Sequence, residues 1–207
     1  MMRTHVIFLL GIFLLAFPVP QHATVMAPMY MDDLTGASQT VVYGAVTAKR
    51  VEWDSAHRMI YTIYSVRPYQ YLKGGLGGSF ELHEPGGEIG DEGMYIASVP
   101  KFQVGEEAIL FVWTNPAGQH QVTAFEQGTV AVVADPANGA MVAARSIPLG
   151  TAAAGQTAQP LVDSVDQVQA AARRQNSPVT FSERSLNLLM NQIRISVART
   201  QPALAGE

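Results

Sequence analysis

Three polar residues in one short stretch are the first candidates for chemistry in this sequence. Asp54, Ser55 and His57 offer the acid, the hydroxyl and the imidazole that a hydrolase triad uses. A working triad is assembled from separate elements, so that the nucleophile, the base and the oxyanion donors converge on one point. Side chains this close along one turn do not converge in that way. We therefore predict a polar turn here and assign no catalytic residue.

A glycine-punctuated acidic loop is the second candidate. Glu88, Asp91 and Glu92 carry the hard oxygen ligands that calcium prefers, and Gly90 and Gly93 allow a tight backbone path. Their spacing matches no EF-hand loop. A solvated loop is therefore favoured over a calcium site.

Histidines offer little support for a metal centre. His57, His83 and His120 are isolated from one another, without the spacing that places two imidazoles on one helical face. A shared zinc site requires long-range convergence. The glycine run after Lys73 also lacks the pattern of a phosphate-binding loop. We assign no metal and no cofactor.

Aromatic residues form the fourth candidate, because tyrosines crowd the stretch from Met59 to Leu72. Tyrosines on both faces of one strand cannot all be core, so some can line a surface that binds a protein or glycan. Cross-strand aromatic packing is the favoured alternative. The binding hypothesis combines the acidic loop with these rings, and its residues are Gly86, Gly87, Glu88, Asp91, Glu92, Trp53, Tyr69 and Tyr71.

Short β-strands must position these residues. Ala108 to Thr114 lacks polar alternation, which predicts a central strand with apolar contacts on both faces. Phe80 and Leu82 alternate with polar residues, Gly44 predicts a bend or bulge, and Pro68 predicts an edge or bulge. The predicted strands cover 40–48, 59–72, 79–84, 94–99, 108–114, 119–125, 129–134 and 141–145. This pattern indicates a small β-barrel or sandwich, with strands in meander order.

The N-terminal segment 1–27 is predicted to be a secretory signal peptide, cleaved near residue 23 or 27. Its basic start precedes an apolar run from Val6 to Phe17, which is shorter than the ~20 residues a membrane crossing needs. The alternative is an uncleaved membrane anchor. We expect an exported protein, periplasmic or secreted, with no stable membrane span after signal removal.

The remaining chain divides by composition. We predict a mobile leader over 28–38, a β-barrel domain over 39–149, a flexible linker over 150–160 and two amphipathic helices over 161–200. The second helix is predicted to open at a Ser182 cap, and its apolar stripe comprises Leu186, Leu189, Met190, Ile193 and Val197. These helices pack against the barrel or each other, or else bind a partner.

Composition excludes several classes of protein. The chain has 207 residues, 48% hydrophobic and 14% charged, which argues against general disorder. It has no cysteine, hence no disulfide and no thiolate nucleophile or ligand. The net charge is −4 and the basic residues are scattered, which argues against nucleic acid as a partner.

Val41 to Val133 resembles a group of exported bacterial proteins without assigned function. It is more distantly similar to the OB-like barrel of netrin-type modules, a group that includes tissue inhibitors of metalloproteinases. The motifs that carry the resemblance are Val42-x-Gly44-x-Val46, Trp53-Asp54, Ile60-Tyr61-Thr62, Leu72-Lys73-Gly74, Pro85-Gly86-Gly87-Glu88, Val99-Pro100-x-Phe102, Gly105-Glu106-Glu107, Leu110-Phe111-Val112 and Gln127-Gly128. The resemblance implies an OB-like antiparallel barrel, or a closely related sandwich, with a C-terminal helical tail.

These observations predict a non-catalytic binding or regulatory module that recognises an extracytoplasmic protein, with a protease as one candidate. The metalloproteinase inhibitors clamp zinc through an amino-terminal cysteine, which this chain lacks. An inhibitory wedge would have to come from Gly86 to Gly93 or from the leader, Pro28 to Ser38. A structural or cell-envelope accessory role is the alternative, and an enzyme with a site assembled from distant residues ranks last.

Overall fold

The structure, a computed structural model, describes residues 27–145, 147, 149 and 185–201. Its regular elements are α1 (Met31–Ala37), β1 (Thr40–Trp53), β2 (Ile60–Lys73), β3 (Phe80–Pro85), β4 (Gly87–Ile89), β5 (Glu92–Met94), β6 (Glu107–Thr114), β7 (His120–Val122), β8 (Thr129–Ala134), β9 (Met141–Ala143) and α2 (Leu186–Thr200). The predicted linker, the first tail helix and nearly all of the signal peptide lie outside these residues.

Strand β1 closes the barrel because it is long and bent. It pairs with β2 along its length, and its first half, Thr40 to Ala45, also pairs with β6. The register shifts between Tyr43 and Gly44, which confirms the predicted irregularity. A Cβ at Gly44 would lie 2.6 Å from Arg67 O, so the close approach of β2 requires glycine. Opposite Gly44 lies Pro68, at the same irregularity.

Strands β1, β2, β3, β7 and β6 form a closed barrel with the strand order of an OB fold. The first three are antiparallel neighbours, as the predicted meander requires. The meander fails after β3, because β6 returns to pair with β1 and β7 lies parallel to β3. The predicted antiparallel barrel is therefore mixed. Strands β8 and β9 extend the sheet beyond β6 and form the predicted hairpin.

The buried side chains form two clusters on opposite faces of the sheet. The interior cluster fills the barrel and contains Val42, Val46, Tyr64, Val66, Phe80, Leu82, Phe102, Ala108, Leu110, Val112 and Val122. The outer cluster lies beneath the two helices and includes Phe111. The prediction that β6 has two apolar faces is confirmed. Phe111 is fully buried, but it packs under the helices, while Leu110 and Val112 point into the barrel.

The predicted mobile leader is wrong, because α1 is a helix that packs on the sheet. Met31 and Leu34 lie on one face, are fully buried, and join the outer cluster. A helix of one or two turns is marginal alone, so contacts with α2 and β6 stabilise it. Those contacts link distant parts of the chain and leave no signal in the leader's own sequence.

The C-terminal helix α2 docks over the same face. Its predicted stripe from Leu186 to Val197 is buried in the outer cluster. The helix begins after Ser185, whose Oγ accepts a hydrogen bond from Leu188 N, so the cap is Ser185 rather than Ser182. Among the described residues, no helix has the length and apolarity needed to cross a membrane.

The predicted strand over 94–99 is also wrong. Pairing in this region is confined to the short β4–β5 hairpin, which ends at Met94. The hairpin turns at Gly90, where φ is +60°. The following segment, Tyr95 to Pro100, is irregular because β4 is too short to pair with it, and Tyr95 is 77% exposed.

Candidate functional site

The alternation of β3 places a carboxylic acid in the barrel. Phe80, Leu82 and Glu84 all point inward, so the period that buries two apolar side chains also buries Glu84, which is 2% exposed. Across the sheet, Glu84 lies opposite Thr62 of β2. The barrel interior therefore changes from apolar to polar along β3.

A pocket of about 610 Å³ opens at this polar end of the interior. Its walls come from β1, β2, the end of β3, the β4–β5 hairpin and the segment up to Lys101. We call it the mouth pocket. Its polar and aromatic side chains are Lys49, Thr62, Tyr64, Glu84, Glu88, Tyr95 and Lys101. Val51, Met94, Ile96 and Val99 supply apolar wall.

Glu84 also lines a second cavity, of about 400 Å³, where β3 meets β7. Only Leu82 and His120 form a backbone bridge between these strands. The Glu84 carboxylate partly replaces the missing ladder, because its Oε1 accepts a hydrogen bond of 2.7 Å from Val122 N. Gln121 adds a second link, from its Nε2 to His83 O at 3.0 Å. Glu84 thus lines both cavities and also makes a structural contact with β7.

Burial raises the pKa of Glu84 to about 7, because an ionised carboxylate loses hydration inside the barrel. The hydrogen bond from Val122 acts in the opposite direction but is the smaller effect. Among the described residues, no cation pairs with Glu84 and no second hydrogen bond reaches it. No fully buried side-chain oxygen of these residues lacks a partner, so Oε2 of Glu84 keeps some exposure to solvent.

The two lysines of the mouth pocket lie over aromatic rings. Lys49 Nζ is 5.9 Å from the centre of the Tyr64 ring, and Lys101 Nζ is 5.2 Å from that of Tyr95. Both lysines are exposed, whereas Tyr64 is buried and packs edge-on against Phe102. The pocket therefore has positive charge at its rim and a carboxyl group at its floor.

Gly86 and Gly87 shape the wall above Glu84. Gly86 donates to Ile60 O at 2.7 Å and accepts from Thr62 Oγ1 at 2.7 Å, with φ at +106°. At Gly87, a Cβ would lie 2.7 Å from Val51 Cγ1, and φ is +144°. A side chain fits at neither position without strain, so the glycines set the close approach of the hairpin to the barrel. Both line the mouth pocket.

The structure brings only part of the predicted site together. Glu88 lines the mouth pocket beside the two glycines, whereas Asp91 and Glu92 are exposed on the hairpin and do not line it. Trp53 ends β1 and stacks on His57, with ring centres 5.5 Å apart.

The tyrosines predicted to bind also lie elsewhere. Tyr69 is 46% exposed on the outside, and its hydroxyl donates to Glu107 Oε1 at 3.3 Å. Tyr43 meets Tyr69 edge-on at 5.2 Å. Tyr71 packs against the interior cluster and donates to Gly77 O at 2.7 Å. These contacts match the cross-strand packing that the sequence favoured, and they separate both rings from the mouth pocket.

The stretch that resembled a hydrolase triad is the predicted polar turn. Asp54 Oδ1 accepts hydrogen bonds from Arg58 N at 2.6 Å and from Met59 N at 3.1 Å. The Arg58 hydrogen bond lowers the pKa of Asp54 below its usual value. Asp54 therefore caps the turn instead of orienting a catalytic histidine.

Sequence reasoning missed the centre of the site. Glu84 could have been found, because it continues the alternation of Phe80 and Leu82 by one more step. Lys49 and Tyr95 join it only through tertiary structure. Among the described residues, no group of three or more acidic or histidine side chains is arranged to hold a metal ion.

No protein-family model matches the chain, and no curated protein sequence matches it significantly. The resemblance of Val41 to Val133 to exported bacterial proteins therefore stays a prediction. Function has to be argued from the mouth pocket.

Proposed function

We propose that this protein is an exported, non-catalytic binding module that takes a segment of an extracytoplasmic partner protein into the mouth pocket. One observation carries the proposal: a pocket of about 610 Å³ joins an exposed aromatic side chain, Tyr95, to a buried carboxyl group, Glu84. Pockets that bind ligands combine apolar walls with a few placed polar groups.

The walls suit a protein segment. Tyr95 is the most exposed of the large hydrophobic side chains among the described residues, at 77%. Exposed tyrosine is enriched at protein interfaces, because its ring buries much area and its hydroxyl stays hydrated. Val51, Met94 and Ile96 extend this apolar surface inward. A partner side chain can thus be covered on several sides.

A protease is one candidate class of partner, on the resemblance to metalloproteinase inhibitors. The two segments considered for an inhibitory wedge differ in their accessibility to a partner. The leader residues Met31 and Leu34 are buried beneath α2. The segment Gly86 to Gly93 forms the accessible β4–β5 hairpin, which makes it the better candidate for the wedge.

A blocked pocket tests the proposal. Gly93 lines the mouth pocket, has no left-handed backbone, and would place a Cβ only 3.4 Å from Glu88 Cγ. Gly93→Leu should therefore fold and narrow the pocket. Gly75→Leu is the matched control, because nothing lies within 4 Å of a Cβ there and Gly75 is in the β2–β3 loop.

Linear peptides would be selected on the full wild-type chain from a random displayed library, and their affinities measured on all three proteins. Gly93→Leu should weaken binding at least about tenfold, equivalent to about 1.4 kcal/mol. Gly75→Leu should leave it unchanged. Equal affinities for all three proteins would contradict the proposal and favour the structural or envelope accessory role.

An enzyme that uses Glu84 as a general acid is the second candidate. The observation that favours it is a carboxyl group with a pKa raised to about 7 in a pocket, a property shared by catalytic acids. Its test is turnover of chromogenic ester, glycoside and peptide substrates. Activity that Glu84→Gln abolishes supports this candidate, and activity that survives the substitution contradicts it.

A further inference from the structure

The floor of the mouth pocket presents an acceptor without a counter-charge. Glu84 is 2% exposed and lines the mouth pocket, its Oε1 accepts a hydrogen bond from Val122 N, and its Oε2 has no hydrogen-bond partner among the described residues. Buried carboxylates in proteins are normally paired or fully hydrogen-bonded, since burying a bare charge is costly. An incoming cation would supply the missing partner.

Part of the wall of the mouth pocket is apolar. Val51, Met94, Ile96 and Val99 line the pocket together with Glu84 and the exposed Tyr95. A ligand that contacts both Glu84 and these apolar side chains carries its charge at the end of an apolar stem. Among protein side chains, lysine has this form, with a four-carbon stem and a terminal ammonium.

We propose that the mouth pocket binds a lysine side chain of the partner protein, with its ammonium on Glu84 Oε2 and its stem against Met94 and Ile96. This inference rests on the proposed function and adds the chemical class of the ligand. It assigns Glu84 as the group that determines specificity.

A point charge fits this acceptor better than a planar fork. Arginine binds carboxylates best through two parallel hydrogen bonds, one to each oxygen. Glu84 Oε1 already accepts from Val122 at 2.7 Å. A single ammonium needs only Oε2, which has no hydrogen-bond partner among the described residues.

Other charged groups do not replace the ligand. Across the pocket, Lys49 and Lys101 each lie over an aromatic ring, and neither forms an ion pair with Glu84. Tyr64 and Glu88 are the other titratable groups, besides Tyr95, that line the pocket. On the β7 side, no titratable side chain besides Glu84 lines the second cavity within the described part of the chain.

Two blocked tripeptides test the inference on the full chain at about pH 8, above the raised pKa of Glu84. One carries lysine and the other norleucine between two alanines, so that they differ in the ammonium group alone. NMR shift titration should show binding of the lysine peptide at least about tenfold tighter. Glu84→Gln should remove this preference, whereas Asp91→Asn, which changes an exposed acid outside the pocket lining, should keep it.

Equal affinity for the two peptides, no binding of either, or a lysine preference that survives Glu84→Gln would overturn the inference. The proposed function can fail separately. If peptides selected from the library lose affinity on Gly93→Leu but show no dependence on lysine, the pocket binds a partner and only the ligand assignment is wrong. If Gly93→Leu leaves the affinity of the selected peptides unchanged, the proposed function itself is wrong.

Discussion

Two regions of this molecule differ in how their buried polar groups are paired. Beneath the helices, Asp32 accepts from Ser196 Oγ and pairs with Arg199 Nη2 at 3.1 Å, and Thr35 lies 2.7 Å from Ser196 Oγ. In the mouth pocket, Glu84 has one hydrogen bond and no ion pair among the described residues.

This difference separates a stabilising surface from the surface that we propose for binding. A paired polar network adds rigidity and needs nothing more, whereas an uncompensated carboxyl group lowers stability until a ligand reaches it. The helix-covered face also joins residues from both ends of the described chain, α1 and α2. The helix-covered face is therefore the stabilising region, and the mouth pocket is the region that we propose for recognition.

The largest effect should come from the helix-covered face. Ile193 is fully buried in the outer cluster, so Ile193→Ala should lower the free energy of unfolding by about 2–5 kcal/mol. Ile195→Ala on the same helix is the control, because Ile195 is 59% exposed and should cost less than about 0.5 kcal/mol. Urea denaturation measures both. Equal losses would show that α2 does not dock as described.

The second effect concerns pH. The pKa of Glu84 is raised to about 7 in the folded state. Between the ordinary glutamate pKa and about pH 7, the folded protein therefore keeps a proton on Glu84 that the unfolded chain releases. The contribution of Glu84 to the free energy of unfolding is fully present below about pH 4.5 and is lost as the pH rises through about 7. The free energy lost over this range is about 3 kcal/mol. Glu84→Gln should remove this dependence while its amide oxygen still accepts from Val122.

Urea denaturation at about pH 5 and about pH 8 measures how much the free energy of unfolding changes with pH. Asp91→Asn is the control, and it should show the same change as the wild type. A Glu84→Gln protein whose free energy of unfolding changes with pH as much as that of the wild type would contradict the raised pKa of Glu84. It would also remove the contrast between the two regions.

The third effect sharpens the contrast within the helix-covered face. Ser196 is fully buried and bonds to both Thr35 and Asp32, so Ser196→Ala should cost about 1–3 kcal/mol by leaving an acceptor short of a donor. Ser55→Ala in the exposed β1–β2 turn should change the free energy of unfolding by less than about 0.5 kcal/mol. If both changes are neutral, the network does not stabilise the docking of α2.

The smallest effect is expected on the outside of the barrel. Arg50 contacts both carboxylate oxygens of Glu81 at 2.5 and 2.9 Å, but the two side chains are 46% and 41% exposed. Arg50→Ala should cost less than about 1 kcal/mol, because water and salt screen an exposed pair. Denaturation at low and high salt measures it. A larger, salt-independent loss would mean that this pair is more than a surface contact.

Local pattern predicted most of the strands, although not the one over 94–99, because their signals are local. The alternation of Phe80 and Leu82 and the apolar run of β6 reflect which faces are buried, and the glycine at 44 reflects a close approach. The closure of the barrel could not be read in this way. The parallel contact of Leu82 with His120 and the return of β6 to β1 depend on residues far apart in sequence.

The site was harder to predict than the fold. The sequence indicates an acidic loop as a candidate site but not the β4–β5 hairpin that it forms. Glu88 lines the pocket while Asp91 does not, and that distinction depends on which way the short strands face. Tyr69 and Tyr71 looked alike in sequence, yet one is exposed and the other packs on the interior cluster. The sequence does not mark Glu84 as a site residue, because an acidic residue after two inward apolar residues is typical of the end of a buried strand.

The most direct test of the contrast between the two regions is the pKa of the Glu84 carboxyl group, measured by carbon-13 NMR titration of the free protein. The account predicts a pKa of about 7, raised by burial without a counter-charge. A value at or below the ordinary glutamate pKa of about 4.3 would show that Glu84 is hydrated or already paired, and would contradict the account.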